Sequence, residues 1–569
     1  MPSKTSSGLC GTYHIWGPPG TGKTTALRKL VERLLSDGYE PSSLFITSLT
    51  RAAATEIAKE ILRVGITLPR GTVGTLHAAC FHTLDEPELY MKHVPDWNER
   101  HPEYALGHSH HGKRSLDEPE EGDARETRGD DLLAVYNLYR AWCLPRDHWP
   151  SALVSAFADD WETWKTEIDV CDFSDLLERC LRDVERAPGD PKFILADEAQ
   201  DYSELARRLL LKKWARHAEA TFISADPWQA LYVWAGANPR LFLDHPVPDD
   251  HRWMLRQSYR VPACVRDMAL TWMQQEYSLW EPLDYQPRHD ATGGPVNGEI
   301  VSLPYGSYLD PDPLLDHAEA AADAGHTVML LAACSYQLDP LKRALRARGL
   351  PFHNPWRRKR RDWNPLHMDA SRNGDAKAIG GAARLLAYKR PDREAWGDQA
   401  GPWTGRDLQA WVECVAVEGI MSRGAKEAIK ALDPSIVPDL DALGEWFAAE
   451  ALGAALLRND LSWFEAHLLG SQRPLLEYPI AVYKHRGAAA LKNEPKITLG
   501  TGHSVKGGES DTVIICPDIS RAGYREWMGS AEDRDATVRL FYTAMTRARD
   551  TLLLARPATA RHVPLVGEI

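Results

Sequence analysis

The segment Gly17-Pro18-Pro19-Gly20-Thr21-Gly22-Lys23-Thr24 fits the eight-position pattern G-x-x-x-x-G-K-[ST], and that spacing suits a triphosphate. Glycines let the main chain curl so that its N–H groups face phosphate oxygens. Lys23 then reaches the β- and γ-phosphates, the Thr24 hydroxyl ligates Mg²⁺, and Thr25 leads into a helix. Hydrolysis further requires carboxylates, which Asp197-Glu198-Ala199-Gln200 supplies directly after the apolar run Phe193-Ile194-Leu195-Ala196. Asp197 suits the Mg²⁺ shell and Glu198 the polarisation of water. Paired acids after a strand also act as plain helix caps, and the phosphate loop upstream favours the chemical role.

The next apolar run, Thr221 to Ala225, leads to Gln229, placed to sense a γ-phosphate or its water. Tyr232 and Trp234 follow in a Gly/Ala-rich turn. Trp234 suits a base-stacking platform, whereas Tyr232 reads as core. Farther on, five consecutive cations, Arg357 to Arg361, stand between Trp356 and Trp363. Arg357 and Arg358 are the candidates there for phosphate contacts, with the tryptophans for stacking. His108, His110 and His111 lie in a polar stretch without cysteine or HExxH-type spacing, so a solvated loop is expected in place of a metal site.

Positioning these groups calls for an α/β scaffold. The run Thr12 to Trp16 reads as a strand before the loop, and Thr25 to Val31 has helical spacing after it. Further strands are expected at Leu44 to Thr47, Thr72 to Leu76, Ile300 to Leu303 and Val328 to Leu331. The reading is two α/β domains, each interrupted by a mostly helical insertion. Residues 1–85 and 171–262 form the first, around an insertion at 86–170. Residues 263–392 and 478–569 form the second, around an insertion at 393–477. Trp161 and Trp164 share one helical face and read as a buried stripe.

At 569 residues the chain exceeds a single core, and 44% apolar with 26% charged residues is ordinary for a globular protein. Nine cysteines without a CxxC pair, no signal pattern and no membrane-length apolar run lead to the expectation of a reduced, cytoplasmic protein away from membranes. The net charge of −13 provides no global field for nucleic acid, so any such contact rests on local grooves and stacking.

Taken in order, these segments resemble superfamily 1 helicases of the UvrD/Rep type. The phosphate loop resembles motif I, residues 47–53 motif Ia, and Gly74-Thr75-Leu76-His77 the DNA-contacting segment after it. Residues 172–177 are similar to the stretch that re-enters the first motor domain. Residues 197–200, 226–237, 256–260, 500–509 and 539–549 resemble motifs II to VI. The resemblance implies two RecA-like P-loop motor domains with ATP and Mg²⁺ between them. Tyr259 would stack on adenine, Arg260 and Arg547 would reach the γ-phosphate from two sides, and Glu509 would sense nucleotide. Thr47, Arg51, Thr75, His77, Trp234, Thr501 and His503 would line a DNA track. It further implies an ATP-dependent helicase or translocase moving 3′ to 5′ on single-stranded or tailed DNA, as a monomer, alongside replication or repair proteins. The same motifs serve an ATPase that remodels protein–DNA complexes without unwinding, and a motor directed to RNA. The chain departs from the family pattern in having no glutamine in residues 1–16, Ala235 for the usual arginine, and Gly508 and Ser510 for apolar residues.

Overall fold

The computed structural model describes residues 8–49, 51–69, 71–107, 127–240, 246–281, 284–357, 361–366, 379–394 and 402–565. Its first sheet contains β1 (Gly11–Trp16), β2 (Leu44–Ser48), β3 (Val73–Thr75), β4 (Phe193–Ala196), β5 (Ala220–Ala225) and β6 (Arg252–Met254), in the order β3-β2-β4-β5-β1-β6. All its pairings are parallel. The strands β2, β4 and β5 are buried at every position, as a parallel sheet covered on both faces requires. Helix α1 (Lys23–Ser36) follows β1, α2 (Arg51–Arg63) follows β2, and α3 (Leu76–Thr83) follows β3. Because the strands run one way, their carboxyl ends share an edge. Neighbouring β4, β5 and β1 therefore deliver Asp197, Asp226 and the phosphate loop to one place.

The second sheet holds β7 (Glu299–Ser302), β8 (Val328–Ala332), β9 (Phe352–His353), β10 (Ile497–Thr501), β11 (Ser510–Ile515) and β12 (Ala548–Leu554), ordered β7-β12-β11-β8-β10-β9 and again wholly parallel. Glu509 and Arg547 precede β11 and β12, which pair through Ser510 and Ala548, so both side chains leave from one amino-end edge. The architecture is two RecA-like α/β layers. Most expected strands differ from the observed ones by a residue; Thr72 to Leu76 shortens to β3 because Thr75 caps α3.

Within residues 86–170, helices Val94–Arg100, Arg128–Ala141 and Ala152–Glu167 enclose a core of their own. The Trp161 and Trp164 stripe lies at its centre, with ring centroids 4.9 Å apart. The polar stretch expected to run as loop to residue 130 ends at Thr127, whose side chain forms a capping box with Asp130; His108, His110 and His111 lie outside the described residues. The helices between residues 405 and 466 pack through Trp403, Trp411 and Phe464 into a core continuous with Leu314, Leu330 and Phe352 of the second sheet layer.

A buried charge cluster ties the helices of residues 86–170 to the helix Phe173–Asp183. Asp172 caps the helix Phe173–Asp183 in a capping box with Asp175. Its carboxylate accepts from Arg140 at 3.0 Å and Lys165 at 2.6 Å, both on insertion helices, and Arg140 also reaches Asp175 and Glu178 at 2.6 Å. Burial alone would raise the Asp172 pKa, but Arg140 and Lys165 outweigh it and hold the carboxyl well below the usual aspartate range. A folded-state pKa below the unfolded value stabilises above the ordinary aspartate range, and that stabilisation is lost as pH falls through it. Replacing Asp172 by alanine leaves Arg140 and Lys165 to share Asp175 and Glu178 and should cost up to about 3–5 kcal/mol in denaturant unfolding. The wild type should also lose stability more steeply than the variant below about pH 4. An unchanged unfolding midpoint would show that the cluster does not hold the insertion.

Candidate functional site

The phosphate loop closes on itself and on residues 258–260, just before the second domain. Gly20 and Gly22 sit at φ +72° and +79°, in the left-handed region that glycine tolerates. A Cβ on Gly20 would stand 2.5 Å from Arg260 Cβ and 2.8 Å from Ser258 Oγ. The Ser258 hydroxyl donates to Pro19 O at 2.9 Å and the Tyr259 amide to Gly20 O at 2.7 Å. Lys23 Nζ donates to Gly17 O at 2.8 Å. Gly22 caps the 14-residue α1 without a side chain, so the first-turn amides and the helix dipole face the loop. The Tyr259 ring is 69% exposed beside Gly22, as a stacking surface for a base must be.

Asp197 and Glu198 share this edge but behave differently. The Thr24 hydroxyl donates to Asp197 Oδ2 at 3.3 Å, while the buried Oδ1 has no hydrogen bond of ordinary geometry. Burial first, and adjacent Glu198 second, push the Asp197 carboxyl up to about 6. A partly unsatisfied buried carboxylate beside a threonine hydroxyl fits a hard cation with oxygen ligands, so Thr24 and Asp197 would hold Mg²⁺. Bound there, the ion would neutralise charge on the phosphates. Glu198, at φ +52°, faces Lys506 Nζ at 3.2 Å. Burial would raise it too, yet Lys506 and Lys23 prevail and hold it down at about 2, ionised and fit to polarise water.

Arg547 comes from the far half of the chain and is 1% exposed. It donates from Nη2 to Gln229 Oε1, from Nη1 to Gly508 O at 3.0 Å and from Nε to Thr543 O at 3.0 Å. Burial, with Arg260 next, pushes it down to about 9. Gln229 in turn donates to Asp226 Oδ2 at 2.6 Å. Arg260 pairs with Glu509 at 2.8 Å, and Arg549 with the other oxygen of Glu509 at 2.6 Å. Lys506 donates to Asp201 Oδ2 and to Gln229 O, the latter at 3.2 Å. Arg539 Nε donates to Ala230 O at 2.8 Å, and Trp228 packs into the second half's core against Trp280 and Tyr542. The segment 226–232 is thus the seam where both halves touch.

On the side that the resemblance assigns to DNA, Trp234 is 40% exposed and Tyr232 is buried. His503 is half-buried with its ring 6.5 Å from that of Tyr232, and the half-buried His77 stands edge-on to Phe173. Three threonines need correction. Thr47, Thr75 and Thr501 are almost wholly buried; the Thr75 hydroxyl caps α3, and that of Thr501 accepts from Ser504 N at 3.2 Å. The Thr75 and Thr501 side chains hold turns, and that of Thr47 lies inside β2. The tryptophans around the basic run are anchors too: Trp363 is 1% exposed, and Trp356 packs against Gly508, where a Cβ would meet it at 2.3 Å. Arg357 is half-buried, and Arg358 and the side chain of Arg51 lie outside the described residues.

Four residues of this site escaped the sequence reading: Lys506, Asp201, Ser258 and Arg539. Lys506 and Arg539 fall inside motif-like segments, but their partners are 305 and 309 residues away in sequence, so no local spacing could pair them.

Residues 3–246 match the family model described as UvrD/REP helicase N-terminal domain. A search of curated proteins returns no match. Among the described residues no helix is long and apolar enough to cross a membrane.

Gly20 provides the sharpest check on the cradle. Gly20→Ala should weaken nucleotide binding about 10-fold or more, through left-handed strain and the collision with Arg260, as measured by titration with a fluorescent nucleotide. Wild-type affinity in that variant would mean that the nucleotide does not lie in this loop.

Proposed function

Since the chain is a superfamily 1 DNA helicase of the UvrD/Rep type that hydrolyses ATP, we propose that it moves 3′ to 5′ along single-stranded DNA and separates duplex ahead of it. The reading is carried by one observation: Arg547 of the C-terminal half bonds Gln229 of the N-terminal half beside the phosphate loop. A triphosphate with Mg²⁺ held by Thr24 and Asp197 would meet Lys23 in the loop, while Arg260 and Arg547 reach it from two sides. Glu198 would orient the attacking water, while the two arginines would stabilise charge that develops on the transferred phosphoryl group. Hydrolysis would remove the anion that draws the halves together, and the cleft would open. Segment 226–237 would convert this opening into movement, since Gln229 lies at the cleft and the exposed Trp234 would lie on the strand path. Polarity and the preference for single-stranded DNA follow the resemblance to UvrD/Rep.

Hydrolysis measured with and without single-stranded DNA or RNA, followed by displacement on duplexes tailed at either end, tests this reading. The expected result is DNA-stimulated hydrolysis and displacement from a 3′ tail. Stimulation without displacement would favour a remodelling ATPase, and stimulation by RNA alone an RNA-directed motor.

Two substitutions separate the parts. Arg547→Ala should lower kcat about 10³-fold while nucleotide still binds, because an arginine finger acts chiefly in the transition state. A proportionate loss of binding would make Arg547 a ground-state ligand. Trp234→Ala should lower the DNA-stimulated rate several-fold more than the DNA-free rate; equal losses would mark Trp234 as packing.

A further inference from the structure

Trp142 and Trp234 are the only tryptophans more than a third exposed among the described residues, at 43% and 40%. They belong to different parts of the fold, yet neighbouring residues bring their backbones near each other. Gly236, at φ +95° in the turn that carries Trp234, approaches the end of the insertion helix Arg128–Ala141. A Cβ on Gly236 would stand 2.5 Å from Ala141 Cβ and 3.6 Å from Ala141 Cα. With consecutive Cα atoms at fixed spacing, that contact keeps the Cα atoms of Trp142 and Trp234 within about 17 Å of each other.

The chain also fixes Trp142 firmly. Two residues before it, Arg140 is locked by Asp172, Asp175 and Glu178. Immediately after it, Cys143 takes a left-handed φ of +52°, its amide donating to Arg140 O at 2.8 Å and that of Leu144 to Tyr139 O at 2.9 Å. This turn normally ends in glycine; a cysteine there is strained, and such strain persists where the surroundings impose it. An exposed indole on a fixed backbone suits stacking, because it offers a large ring with only two side-chain torsions to restrain when a base covers it.

We propose that Trp142 is a second stacking residue for the nucleic-acid strand, extending onto the insertion the platform that Trp234 begins. It would accept bases without sequence preference, since every base has a π-face. The seam segment would then carry the strand past a fixed ring, with Gly236 against Ala141 as the bearing between them. This inference rests on the single-strand reading of the preceding subsection.

Fluorescence anisotropy of a labelled oligothymidylate tests it with wild type, Trp142→Ala, Trp142→Tyr and Trp234→Ala. Trp142→Ala should bind at least about 5-fold more weakly, with its thermal unfolding midpoint unchanged, and Trp142→Tyr should recover most of the loss. Wild-type affinity in Trp142→Ala alongside weakened Trp234→Ala overturns the inference and leaves the single-strand reading standing. A loss that tyrosine does not recover, or one that follows a lowered unfolding midpoint, overturns it as well. Absence of binding by the wild type removes the single-strand reading itself.

Discussion

Three cations from the C-terminal half, Lys506, Arg539 and Arg547, dock on the N-terminal half, and the site depends on how Lys506 and Arg547 are neutralised. Lys506 has carboxylate partners in Glu198 and Asp201. Arg547 has only neutral acceptors in Gln229, Gly508 and Thr543. Burial first, and the neighbouring Arg260 second, outweigh the through-space pull of Glu198, Glu509 and Asp226, and the lowered Arg547 pKa records that cost. A triphosphate in the loop would add an anion within direct reach of the guanidinium, so the cleft is electrostatically prepared to close on its substrate. The same logic makes the closed arrangement temporary once the anion leaves.

Strand direction explains why these groups can meet. In the first sheet, reactive residues leave the carboxyl ends of adjacent parallel strands, the usual ligand edge of such sheets. In the second, Glu509 and Arg547 leave the amino ends of adjacent strands. Facing the carboxyl edge of one layer with the amino edge of the other puts carboxylates and phosphate-binding amides opposite arginines. Segment 226–232 is buried between them, held by Arg539, Lys506 and the core around Trp228. Its position makes it the element through which chemistry at one end can reach exposed aromatics at the other.

Much of this was legible in the residues themselves. The loop, the paired acids, Gln229 and the strand runs are local patterns, and a strand followed by glycines and Lys-Thr admits few meanings. Trp161 and Trp164 announced a buried face through their spacing. The threonines misled because a hydroxyl in a DNA-contacting motif reads as a contact, whereas Thr75 and Thr501 spend theirs on backbone amides. Trp356 and Trp363 misled because flanking cations resemble a binding loop, although both rings anchor it. Lys506 and Arg539 were illegible for another reason: their meaning lies in partners brought near only by the docking of two layers.

The central claim is that Gln229 and Arg547 act as one unit across the cleft. A double-mutant cycle of Gln229→Ala and Arg547→Ala on DNA-stimulated kcat tests it most directly. The account predicts that the double variant is about as slow as the slower single variant. Losses that multiply would contradict it, because two residues working independently cannot be the joint that couples the halves.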